Sequence, residues 1–121
     1  MRVEIKTPQW TDYMFEGLSP HGDWVSDAEL AFLRTDPNGR MLRVALVGGT
    51  HLLRSGAEWL RIRGNIERFE AARTGNSLYI AVWPDPFQLD ILAPGVDEVR
   101  LRGKTTPFTR NGDWIELRGL N

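Results

Sequence analysis

SDAELAFLRTDPNGRMLRVALV, residues 26–47, admits two readings, and the choice between them sets the fold class. Its opening, SDAELAFLR, has the start of a helix: Ser26 or Asp27 can cap it, and Glu29 stands at the capping-box spacing from Ser26. TDPNG then follows as a turn signal and leads into a second apolar run, MLRVALV. Two apolar runs around Asp-Pro-Asn-Gly form a β-hairpin. With this segment read as strands, the best helix candidate in the chain is gone.

Working outward, the other segments alternate with period two. RVEIK sets Val3 and Ile5 against Arg2, Glu4 and Lys6. MLRVALV is apolar on both sides except at Arg43, as expected of a central strand, and Gly48-Gly49 ends it or bulges it. THLLR, EWLRIR and IERFEAA follow, separated by Ser55-Gly56 and Gly64-Asn65. SLYIAVW alternates Leu78, Ile80 and Val82 with Tyr79, Ala81 and Trp83, until PDP breaks it. FQLDIL, EVRLR and DWIELR complete the set, with Val99, Leu101, Ile115 and Leu117 directed inward. Roughly nine to eleven short strands at turn spacings of about 8–12 residues predict an all-β, antiparallel β-sandwich. Residues 1–121 read as one domain, with residues 7–27 as an irregular or long-loop segment.

Composition narrows the chemistry. The formal net charge is −1, so no global basic field draws in nucleic acid. No apolar run approaches the ~18 residues of a membrane span, and MRVEIKTPQW lacks the apolar region of a signal peptide. There is no cysteine, which removes disulfides, thiolate metal sites and a thiol nucleophile and leaves the compartment open. Of 15 basic residues only Lys6 and Lys104 are lysine, leaving 13 arginines, whose forked guanidinium groups suit carboxylate or sulfate. VGGT and RGK fit neither a Walker A loop nor GxGxxG, so no nucleotide cofactor is implied.

A catalytic set does not assemble on spacing. His21 and His51 are the only histidines. His21 and Asp23, with Asp12 or Glu16, are the best that can be gathered toward a metal or a hydrolytic site, and no zinc pattern such as HExxH is present. Ser19, His21 and Asp23 lie too close in sequence to align as nucleophile, base and orienter. The carboxylate pairs Asp85 with Asp90 and Asp12 with Glu16 show no cleft context, and Asp85 reads as a turn residue. The five tryptophans carry more: sugar rings stack on aromatic faces. Trp83 and Trp114 are out of phase with their inward neighbours. The candidate ligand-binding residues are therefore Trp10, Trp24, Trp83 and Trp114, with His21, Arg100 and Arg102, and no catalytic or metal-binding residue is assigned.

RMLRVALVGGTHLL and SLYIAVWPDPFQLDILAPGVDEVRLRGKTTPFTRNGDWIEL together resemble the C-terminal β-sandwich appendage of heparinase II/III-like polysaccharide lyases and related carbohydrate-active enzymes. The likeness rests on Val47 to Leu52, Ile91 to Val96, Val99 to Lys104 and Arg110 to Asp113, which are turn and strand patterns. The family's helical toroid and its acid–base Tyr and His have no counterpart here, so no functional residue carries over. The resemblance implies a non-catalytic accessory sandwich, cut from a larger secreted or periplasmic lyase-like protein or standing alone. Its implied partners are a catalytic domain or an acidic or sulfated polysaccharide. A protein–protein or homo-oligomerisation module built on exposed Trp10, Trp24 and Trp83 is the alternative expectation.

Overall fold

The computed structural model describes residues 2–17 and 20–119. Among them there is no helix. Fourteen strands run in chain order: β1 Arg2–Lys6, β2 Thr11–Phe15, β3 Trp24–Ser26, β4 Leu30–Thr35, β5 Met41–Val47, β6 His51–Arg54, β7 Ala57–Arg63, β8 Arg68–Thr74, β9 Ser77–Trp83, β10 Gln88–Leu92, β11 Glu98–Leu101, β12 Lys104–Thr105, β13 Thr109–Asn111 and β14 Trp114–Arg118. They form an eight-stranded sheet, β1-β2-β4-β5-β8-β9-β11-β12, and a six-stranded sheet, β13-β14-β10-β7-β6-β3. Every pairing is antiparallel except β9 with β11, between which the chain visits the other sheet as β10.

The all-β sandwich is as expected. Residues 30–47 form the β4–β5 hairpin, with the Asp36 carboxylate accepting from the amides of Asn38 and Arg40 across the turn. Strand β5 lies centrally, as its two-sided apolar sequence implies. The strand count exceeds the expected range because of four elements that the alternation did not reveal: β2, β3, β12 and β13. Two of them fall inside residues 7–27, so the irregular-loop reading of that segment is corrected at Thr11–Phe15 and Trp24–Ser26. Tyr13 and Phe15 of β2 and Trp24 of β3 carry apolar surface into the core, and a buried backbone must find ladder partners.

One hydrophobic cluster joins the inner faces of both sheets. The eight-stranded sheet supplies Phe15, Leu33, Val44, Leu46, Phe69, Leu78, Ile80 and Val99; the six-stranded sheet supplies Trp24, Leu52, Leu60, Leu89, Ile91, Ile115 and Leu117. Fully burying a side chain of this size contributes about 1.5–3 kcal/mol, which accounts for the alternation. Two bulges adjust the phase. Arg34 pairs with Arg43 but Thr35 with Met41, so Leu42 is the extra residue of β5. The phase shift turns Met41 into the core while Arg43 faces outward. In β7 the extra residue is Trp59, since Leu52 pairs with Leu60 and Leu53 with Glu58.

Candidate functional site

The register of the eight-stranded sheet assembles its outer face row by row. One row reads Arg43, Ala72, Tyr79, Arg100 across β5, β8, β9 and β11. The next reads Phe32, Ala45, Glu70, Ala81 across β4, β5, β8 and β9. A third reads Val47, Arg68, Trp83. Small side chains sit where the rows cross the middle of the sheet, so alanines floor a depression of about 440 Å3 with Arg43, Tyr79, Arg100 and Arg102 around it. A second hollow, lined by Arg68, Glu70, Ala81, Trp83 and Arg102, continues it. Tyr79 is 42% and Trp83 61% exposed, so each offers an aromatic face to solvent.

The charges differ in how far they are committed. Arg102 has φ +50° and follows β11 directly. Its amide donates to the Ile80 carbonyl at 2.8 Å, its Nη1 to the Val82 carbonyl at 2.7 Å, and its Nη2 pairs with Asp85. Arg100 directs Nε to Glu98 at 3.3 Å. The Ser77 hydroxyl and then Arg100 hold the Glu98 carboxyl below its ordinary range. Among the described residues, the side chains of Arg43 and Arg68 make no ion pair or hydrogen bond, and neither does that of Glu70 on the floor between them. The face thus presents two uncommitted guanidinium groups, one uncommitted carboxylate and two solvent-facing aromatic rings.

Of the seven residues expected to bind ligand, three meet here: Trp83, Arg100 and Arg102. Trp24 is a correction. It is fully buried, packed edge-on against Trp59 at 5.0 Å between ring centres and covered by the Arg54 guanidinium. Trp10 lies at the far side of the same sheet's edge, one face taken by Arg34 at 4.2 Å, and that arginine is held bidentately by Asp12. Trp114 is on the six-stranded sheet under Arg61 at 4.4 Å. His21 sits against the rings of Tyr13 and Phe15, with Glu4 Oε1 3.8 Å from Nε2. These four do not converge with the others. Arg43, Arg68 and Tyr79 were missed; Arg43 is the one polar residue of an apolar run, and that interruption was its signal.

The other polar groups serve the framework. Asp23 takes Arg54 and Ser55, so it shares no partner with His21, and Ser19 lies outside the described residues. Asp85 is bound to Arg102, whereas Asp90 is buried on the six-stranded sheet under Arg118, Arg61 and Gln88. Asp27 binds the loop before β6, accepting from the amides of Thr50 and His51 and from the Thr50 hydroxyl at 2.8–2.9 Å. Partial burial pushes its pKa up, but these three donors outweigh that and hold it below the ordinary value. Among the described residues no group of three or more His, Asp or Glu is placed to hold a metal ion. A scan against protein-family models finds no match for the chain, and a search of curated proteins finds none.

Proposed function

We propose that this chain is a non-catalytic accessory sandwich of the kind appended to heparinase II/III-like polysaccharide lyases, and that it holds an acidic or sulfated glycan on the outer face of its eight-stranded sheet. The observation that carries this reading is the alanine-floored depression bordered by Arg43, Tyr79, Arg100 and Arg102 and continued to Trp83. An aromatic face accepts the apolar side of a sugar ring, and a guanidinium fork accepts a carboxylate or sulfate in two parallel hydrogen bonds. A shallow open surface suits a polymer lying across the strands better than a small molecule that must be enclosed.

Isothermal titration against a panel of neutral, uronic and sulfated polysaccharides tests it. Binding to the acidic members, weakened by salt and by Trp83→Ala, is the expected result. Silence across the panel leaves only the role of packing beside a catalytic domain. Equal, salt-independent affinity for neutral glycans removes the charge-based recognition.

A further inference from the structure

The two sheets have four edges, and three of them are short: β12 has two residues, β13 and β3 three each. Short edge strands are a common protection against unwanted pairing. The fourth edge, β1, has five residues, and all five side chains are exposed. Val3 and Ile5, 37% and 55% exposed, lie opposite Met14 and Asp12 and so share the outer face of the sheet. This strand buries none of its side chains, and beyond its ladder to β2 it gains the 3.8 Å approach of Glu4 to His21 in return for being ordered.

The backbone of β1 is also oriented for a partner. The amide of Thr7 donates to the Trp10 carbonyl at 2.8 Å, so Thr7 faces β2. Alternation then turns Ile5 and Val3 toward β2 and leaves the N–H and C=O groups of Arg2, Glu4 and Lys6 pointing away from the sheet. Pro8, next in that outward phase, has no N–H and ends the run of donors.

We infer that β1 pairs with β1 of a second copy of this chain, antiparallel about a two-fold axis at Ile5. In this register Glu4 of one copy stands opposite Lys6 of the other, twice over, and Ile5 meets Ile5 across the axis. The outward groups of Glu4 and Lys6 then satisfy one another. Sliding one copy by two residues sets Glu4 on Glu4 and Arg2 on Lys6, which like-charge repulsion disfavours. The alternation of Arg2, Glu4 and Lys6 thus disfavours the slip of two and leaves self-complementary registers, of which the one centred on Ile5 covers the more exposed apolar side chain, 55% against 37% for Val3. Symmetric isologous contacts of this kind are the commonest route to a dimer.

Sedimentation velocity and light scattering of the full chain over a wide concentration range test the pairing, using charge-exchange variants. The wild type shifts from one chain mass toward two as concentration rises. Lys6→Glu alone and Glu4→Lys alone weaken association several-fold, because each places like charges opposite one another. An equimolar mixture of the two single variants re-forms a mixed dimer, and the double exchange Glu4→Lys with Lys6→Glu restores self-association. Lys6 contacts no other described side chain through an ion pair, so its exchange leaves the fold intact. A wild type that keeps one chain mass at the highest concentration overturns the inference. So does a Lys6→Glu variant that dimerises as the wild type does, since a register pairing Arg2 with Glu4 predicts that result.

Discussion

Arg43 and Glu70 carry opposite expectations although they lie within one hollow. Neither has an ionic partner among the described residues, so replacing either leaves the framework's contacts in place. Arg43→Ala weakens binding of an acidic glycan by roughly tenfold or more, the scale of a lost hydrogen bond to a charged group, with the melting temperature unchanged. Glu70→Gln strengthens the same binding by removing a like charge; titration calorimetry on both variants reads the contrast. Asp27 answers to pH instead. Its folded pKa is depressed, so its contribution is present above the unfolded aspartate value of about 3.9 and fades as pH falls through the lower folded value. The carboxylate is 42% exposed and partly screened by solvent. Asp27→Asn costs about 1 kcal/mol at neutral pH and flattens the acid limb of a melting-temperature profile. At this scale the sequence was partly legible. Trp83 showed its exposure through phase, whereas Trp24 sits in the least patterned stretch, and nothing nearby signals that a three-residue strand carries its ring into the core.

The elements were read well wherever apolar residues alternate over five or more positions. The β4–β5 hairpin was recoverable because Asp-Pro-Asn-Gly separates two such runs. Strands β12 and β13 were not, since all their side chains are exposed and leave no hydrophobic period to follow. In β2, Met14 on the outer face interrupts the alternation that Tyr13 and Phe15 would otherwise make plain. The turn from β5 to β6 carries a testable constraint. Gly49 has φ +84°, and a β-carbon there would lie 2.5 Å from the Ala28 α-carbon and 2.6 Å from its nitrogen. These are backbone atoms, which cannot yield as a side-chain tip can. Gly49→Ala therefore costs about 2 kcal/mol or more in chemical denaturation, through left-handed strain and the clash together. Gly75 has a similar φ of +61° and open space around it, so Gly75→Ala bears the strain alone and costs less.

At the scale of the molecule, a single apolar cluster spans both sheets, and the β9–β10–β11 path carries the chain from one sheet to the other and back. The two sheets therefore share one core. Fluorescence, with buried Trp24 on one sheet, and far-ultraviolet circular dichroism should report one coincident unfolding transition; two separated midpoints would contradict that coupling. The position of β1 has a further consequence. It is an edge of the same sheet that bears the arginine-lined hollow, three strands away from β5. Two copies joined at β1 would place both hollows on one uninterrupted surface. A polyanion long enough to occupy both would meet the second at a high effective concentration, so avidity would rise with chain length beyond what one hollow can span. Oligosaccharides of graded length, titrated against the wild type and the Lys6→Glu variant, would separate at the length that first reaches across.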